Sequence, residues 1–215
     1  MKNIYFISGL GADKRAFSFL DLSFCNSIFI DWIKPVPSES LKQYALRLRE
    51  TIPEAHPTLI GVSFGGMLVT EMAKADPQCR AIIISSAKSI ENFPRYFKVP
   101  KYLPAYNLIP AQWLKKISLV FGGKLGARGE LQRQTLKEIM TSTDPHFSKW
   151  AINALLHWDN TVVPGNLIHI HGSADRLLPC KKVNADYIID GGTHLMIMND
   201  HKQISTLLKE LTACD

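Results

Sequence analysis

Short apolar runs alternate with stretches of helical periodicity along most of the chain, and this alternation limits the fold more than any other feature. Residues 3–8 form an apolar, β-rich run ending in Gly9-Leu10-Gly11, and residues 14–20 read as a short helix. Residues 27–32 are a second strand, closed by the turn at Pro35 and Pro37. A helix opens at Ser38-Glu39-Ser40-Leu41, with Leu41, Ala45, Leu48 and Ile52 at helical spacing. Residues 58–62 read as a third strand, a helix starts near Phe64, and after the Asp76-Pro77 turn residues 80–85 make a fourth strand. Residues 166–170 and 187–189 add two more, and residues 200–211 close the chain as an amphipathic helix. Short continuous apolar strands separated by helices predict an α/β fold, a parallel sheet covered on both faces. Right-handed crossovers make such a sheet doubly wound, and its ligands bind in loops beyond the carboxyl ends of the strands.

Residues 87–160 break the rhythm. Pro94, Pro100, Pro104 and Pro110 punctuate an aromatic run holding Phe93, Tyr96, Phe97, Tyr102, Tyr106 and Trp113. A polar helix follows around residues 130–140. Asp144-Pro145 then looks like an N-cap with proline at the first helical position, followed by Phe147, Trp150, Ala151, Ala154, Leu155 and Trp158 on one helical face. The expected organisation is a core domain from residues 1–86 and 160–215, with residues 87–159 inserted as a helical cap. Charge collects in the same insert. The chain carries a formal +6, yet residues 88–137 hold ten Lys/Arg against Glu91 and Glu130, so that segment is +8 and the remainder −2. The plain reading is a solvated basic face; the alternative is attraction of an anionic substrate group or an anionic membrane. It matches no nucleic-acid recognition motif, and a nucleic-acid partner is not expected.

Composition narrows the class further. With 215 residues, 46% hydrophobic and 20% charged, the chain fits one soluble globular domain. No apolar run nears the roughly 18 residues needed to cross a bilayer, so stable membrane insertion is not expected. Asp13, Lys14 and Arg15 follow the first apolar run without a cleavage site, which reads as a strand and not a signal peptide. Cys25, Cys79, Cys180 and Cys214 lack metal spacing and are expected as free thiols in a cytoplasmic protein. Without Gly-x-x-x-x-Gly-Lys, a P-loop NTPase reading fails. Neither metal nor cofactor is expected, and the oligomeric state stays open.

Chemistry concentrates in three loops after strands. Gly61-Val62-Ser63-Phe64-Gly65 joins the third strand to the helix that follows. A serine forced into a tight strand-to-helix turn presents its oxygen to solvent, and flanking glycines let strand and helix close around it. Such a nucleophile needs a base, and the base an orienting carboxylate. His171-Gly172-Ser173-Ala174-Asp175 places Asp175 beyond the fifth strand, and Asp190-Gly191-Gly192-Thr193-His194 places His194 beyond the sixth. Singly, these are a turn aspartate and a loop histidine; together, in the order nucleophile, acid, histidine, they argue for a site. Asp144 and Asp159 are alternative acids that read as a helix cap and a helix end. His56, His146, His157, His169, His171 and His201 read as structural; His169 and His171 share a strand face, with no third ligand for a metal. Ser8 is placed to hydrogen-bond in the loop after the first strand. Asp13 and Arg15 read as a solvated helix start or as contacts to polar substrate groups.

Gly61-Val62-Ser63-Phe64-Gly65, His171-Gly172-Ser173-Ala174-Asp175-Arg176 and Gly191-Gly192-Thr193-His194 together resemble the α/β-hydrolase superfamily, over the whole chain except the insert. The resemblance implies a triad of Ser63, His194 and Asp175, and an oxyanion hole from the backbone N–H groups of Leu10 and Phe64. Gly9 and Gly11, with Tyr96, Tyr102 and Trp113 of the insert, are the expected substrate contacts. Two departures stand out. Ser8-Gly9 replaces the His-Gly that many members carry, and the chain starts directly at what resembles the family's third strand. The second departure predicts a six-stranded, wholly parallel sheet. The implied activity is hydrolysis of a carboxylic ester or thioester, and the aromatic insert suits a small-molecule substrate with a hydrophobic acyl group whose length stays open. A ligand-binding receptor, or an acyltransferase, lyase, C–C hydrolase or cofactor-free haloperoxidase, uses the same residues, and fold alone does not choose among them.

Overall fold

The computed structural model describes residues 1–94, 97 and 125–213. Its strands are β1 (Asn3–Ile7), β2 (Asn26–Phe29), β3 (Thr58–Val62), β4 (Arg80–Ile84), β5 (Leu167–Gly172) and β6 (Tyr187–Ile189). Its α-helices are α1 (Leu41–Arg49), α2 (Phe64–Ala75), α3 (Glu130–Ser142), α4 (Pro145–Leu156), α5 (Met196–Asn199) and α6 (His201–Ala213). The six strands form one sheet in the order β2-β1-β3-β4-β5-β6, and every neighbouring pair is parallel. The expected doubly wound α/β sheet is therefore what the chain forms.

Strand residues alternate between two cores. Tyr5, Ile7, Leu59, Ala81, Ile83 and Leu167 pack on one face with Leu41, Tyr44 and Leu48 of α1 and Met67, Leu68 and Met72 of α2. Ile4, Phe6, Ile60, Val62, Ile82, Ile84 and Ile170 pack on the other with Phe17 and with Ile204, Leu208 and Leu211 of α6. Both faces being apolar explains why the strands read as continuous hydrophobic runs, many of them isoleucine. The two described α-helices between β4 and β5 join opposite cores: Ile139 of α3 the second, Phe147, Ala151 and Ala154 of α4 the first. Local signals set the helix starts. Ser40 and Gln43 form a capping box on α1. Asp144 caps α4 by accepting from the His146 N–H at 2.8 Å, with Pro145 in the first turn.

Element ends depart from the sequence reading where a partner runs out. The second strand stops at Phe29, three residues short of the expected end, because its last ladder partner is Phe6. The expected helix over 14–20 is a single 3-10 turn, Lys14–Phe17. β5 runs on to Gly172, which pairs with Ile189 of β6. No helix among the described residues is long and apolar enough to cross a membrane.

Strand order reverses between β1 and β3, so the connections leaving their carboxyl ends part to opposite faces and open a crevice. The register Ile7 to Gly61 sets the loop after β1 directly beside the turn that carries Ser63.

Candidate active site

Ser63 joins β3 to α2 with φ 52° and ψ −117°, a backbone region that side-chain-bearing residues rarely occupy. Neighbouring strands hold it there. Its N–H donates to the Ile84 carbonyl at 2.9 Å, and its carbonyl accepts from Ser86 Oγ at 2.6 Å. Glycine is required beside it by close approach. A β-carbon on Gly65 would overlap the Ser8 and Ile7 carbonyls, and one on Gly61 would lie 2.5 Å from the Gly65 carbonyl oxygen. Bare backbone lets the first turn of α2 sit against the sheet, and that contact lifts Ser63 above the strand ends.

Ser63 Oγ lies 2.9 Å from His194 Nε2, and His194 Nδ1 lies 2.8 Å from Asp175 Oδ2. The three side chains read from separate loops thus meet in one hydrogen-bonded run. Asp175 Oδ1 accepts the N–H groups of Leu177 at 2.8 Å and Leu178 at 2.9 Å. Burial works to raise the Asp175 pKa, but the hydrogen bond and charge of His194, with the Leu178 N–H, outweigh it and hold the carboxyl below its ordinary range. The anion can only accept, so His194 carries its proton on Nδ1 and turns a bare Nε2 to the Ser63 hydroxyl.

A Cβ on Gly9 would sit 3.5 Å from Ser63 Cβ, so the loop after β1 touches the turn that carries Ser63. The Gly9 carbonyl accepts the Ala12 N–H at 2.9 Å. A trans peptide points its N–H opposite its C=O, so the Leu10 N–H is directed out of that turn. Phe64 opens α2, and its N–H has no partner within the helix. The Phe64 N–H therefore lies beside Ser63 at a helix N-terminus, an environment that favours negative charge, and the Leu10 N–H belongs to the loop that touches the same turn.

Gly11 has φ +65°, its carbonyl accepts Thr143 Oγ1 at 2.6 Å, and the Thr143 side chain covers the place a Cβ would take. The Ala12 carbonyl accepts both Ser8 Oγ at 2.7 Å and Trp32 Nε1 at 2.6 Å. Asp13 and Arg15 are engaged with each other at 2.6 Å, and the guanidinium also reaches Ser142. Tyr96, Tyr102 and Trp113, the expected aromatic contacts, lie outside the described residues. The described aromatics beside Phe64 are Trp32, centroids 6.0 Å apart, and Trp150 at 6.2 Å, with Phe147 5.0 Å from Trp32. Sequence reasoning missed Trp32, Ser86 and Thr143. Only Trp32 left a usable sign, an indole placed at a strand's carboxyl end.

Behind Asp175, His171 Nε2 lies 2.8 Å from the Leu178 carbonyl and 3.5 Å from Asp175 Oδ2, and His171 Nδ1 lies 3.1 Å from His169 Nε2. Burial lowers the pKa of both imidazoles. A neutral His171 donating to Leu178 leaves Nδ1 bare to accept from His169. Among the described residues, no three His, Cys, Asp or Glu side chains group as metal ligands.

The profile of the alpha/beta hydrolase family matches residues 4–205. No curated protein matches the chain. Solved structures that resemble it include a hydrolase from Pseudomonas aeruginosa PA01, 13% identical over 98% of this chain and 89% of that one, with TM-score 0.77. A carboxylesterase from the thaumarchaeon Nitrososphaera gargenis is 15% identical over 99% of this chain and 90% of that one, TM-score 0.75. A thermophilic esterase from Thermogutta terrifontis is 11% identical over the same shares, 99% and 90%, TM-score 0.75. At such identities the likeness is one of fold.

Proposed function

The chain belongs to the alpha/beta hydrolase family, and from that premise we propose that it is a serine hydrolase cleaving a small-molecule ester or thioester with a hydrophobic acyl group. The observation that carries this reading is the run Ser63 Oγ, His194, Asp175, with contacts of 2.9 and 2.8 Å and the acid held anionic. In the proposed reaction His194 Nε2 takes the hydroxyl proton as Ser63 Oγ attacks the acyl carbonyl. Asp175 holds the imidazolium in place. The N–H groups of Leu10 and Phe64 receive the oxyanion, each contributing about a hundred- to a thousandfold in rate. His194 then returns its proton to the departing alkoxide or thiolate, and water activated by the same imidazole releases the acid from Ser63.

Residues 87–159 are the proposed cap. Trp32, Phe64, Phe147 and Trp150 supply apolar surface near the nucleophile, which supports a hydrophobic acyl group. Cys25, Cys79 and Cys180 are free thiols, which supports a cytoplasmic setting. The test is mass spectrometry of the folded protein after a fluorophosphonate probe, paired with turnover of a short nitrophenyl ester. Ser63 carries the adduct if the reading is right, and Ser63→Ala loses both adduct and turnover while its melting temperature holds. A folded protein whose Ser63 stays unmodified would overturn the assignment, and labelling without turnover would favour a ligand-binding role.

A further inference from the structure

We propose that Thr143, at the end of α3, is a positioning residue for the oxyanion donor Leu10 N–H, so that the insert takes part in catalysis as well as covering the site. The inference rests on the hydrolase reading and adds to it.

Two peptide planes connect Thr143 to Leu10. The Thr143 hydroxyl lies 2.6 Å from the Gly11 carbonyl oxygen and 2.9 Å from that of Ile139, the shorter contact being the one to the loop. The Gly11 carbonyl shares its peptide plane with the Ala12 N–H, which points the opposite way and donates to the Gly9 carbonyl at 2.9 Å. The Gly9 carbonyl in turn shares its plane with the Leu10 N–H. The order is Thr143 O–H, Gly11 C=O, Ala12 N–H, Gly9 C=O, Leu10 N–H, and every link runs donor to acceptor in the same sense. In such a chain each bond polarises the next, so a donor at one end strengthens the last N–H at the other.

The loop offers few other ways to hold those planes. Gly11 sits at φ +65°, where the backbone is free to turn unless something fixes it, and the Thr143 methyl fills the space a Cβ would occupy. The Ala12 carbonyl is held separately by Ser8 Oγ and Trp32 Nε1, which pins the downstream plane, while the Gly11–Ala12 plane is held at its N–H by Gly9 and at its carbonyl by Thr143. Without the hydroxyl, that plane can rock, and the Leu10 N–H swings with it. An oxyanion donor acts on charge that exists only in the transition state, so the loss falls on kcat and not on substrate affinity.

The experiment compares wild type, Thr143→Val, Thr143→Ser and Thr141→Val. Valine keeps the shape and removes the donor, serine restores the donor, and Thr141 is an exposed hydroxyl on the same helix that donates to the Lys137 carbonyl. Rates are taken per Ser63 titrated to completion with a fluorophosphonate, so molecules that fail to fold do not enter the count. The expected result is a drop of about tenfold in kcat for Thr143→Val, smaller than loss of a whole oxyanion donor, with KM unmoved. Thr143→Ser recovers to within about threefold, and Thr141→Val matches wild type. Wild-type kcat in Thr143→Val, an effect confined to KM, or a serine variant as impaired as the valine one would overturn the inference. Wild-type protein that resists the probe would instead remove the hydrolase reading beneath it.

Discussion

Asp175 is set by three hydrogen bonds whose directions leave it no freedom. Oδ1 takes two backbone N–H groups, from Leu177 and Leu178, and Oδ2 takes His194 Nδ1–H. Asp175→Asn keeps the shape and exposes what the charge does. The two backbone donors select the amide oxygen for the Oδ1 position, so the NH2 faces His194 Nδ1 and moves the histidine's proton to Nε2. An Nε2–H opposite Ser63 cannot accept the hydroxyl proton. The expected outcome is a kcat lower by about three to four orders of magnitude with little change in melting temperature, read by ester kinetics and thermal unfolding. A variant that kept a tenth of the activity would show that Asp175 does not set the tautomer. Ser63, Asp175 and His194 were legible in the chain because each is a reactive residue type placed just beyond an apolar run. Ser86 and Thr143 were not, because a hydroxyl that bonds a distant backbone carbonyl leaves no periodicity behind. Their partners, Ser63 and Gly11, are 23 and 132 residues away.

α2 follows Ser63, the proposed nucleophile, and along its length anchors the far end of the proposed cap segment. Buried Glu71 accepts Trp158 Nε1 at 2.7 Å and Lys74 Nζ at 2.9 Å, and Lys74 also donates to Asn160 Oδ1 at 2.6 Å. Trp158 and Asn160 follow α4, so this network fastens the segment returning from the insert to the helix behind Ser63. Glu71→Gln keeps an acceptor for the indole but turns an NH2 toward the lysine. The expected cost is about 2 kcal/mol for breaking a buried charge-assisted contact, or roughly 4–8 °C in melting temperature for a chain of this size. kcat per folded molecule should not move; an unchanged melting temperature would show that the network contributes nothing measurable. The helix and strand identities could be read because both faces of the sheet are buried and the helices carry their own caps, as Ser40 and Asp144 show. Their ends could not, since Phe29 and Gly172 finish strands only where a neighbouring strand stops or continues. The aromatic contacts expected at Tyr96, Tyr102 and Trp113 fall outside the described residues, and Trp32, Phe147 and Trp150 supply the described aromatic surface beside Phe64.

Two neutral imidazoles side by side on β5, one strand in from the edge of the sheet, tie the stability of the entire fold to pH. His169 and His171 are both 0% exposed. Burial, then the neighbouring His171 and Lys88, hold His169 well below the usual imidazole range. Burial also lowers His171, against the opposing pull of the Leu178 carbonyl and Asp175. In the unfolded chain both titrate near pH 6.5. Above that value neither state binds the extra protons, and these two groups leave stability flat. Below it the unfolded chain binds protons that the native core refuses, so stability falls with falling pH until the depressed native values are reached. Each histidine contributes about 1.4 kcal/mol per pH unit in that window, and the pair up to about 2.7. Asp175 acts at a different edge: its lowered pKa contributes stability present above about pH 3.9, lost only as pH falls through its native value. Just below pH 6.5 the histidines therefore outweigh it. Urea unfolding at pH 7, 6 and 5 should show stability falling with pH, by no more than about 1.4 kcal/mol per unit for each histidine, and His169→Gln, which can still donate to His171 Nδ1, should make the slope shallower. A slope that survives the substitution would place the acid sensitivity elsewhere in the molecule. With the slope reduced, the histidine pair behind Asp175 would be what ties the fold's acid limit to the wall of its candidate site.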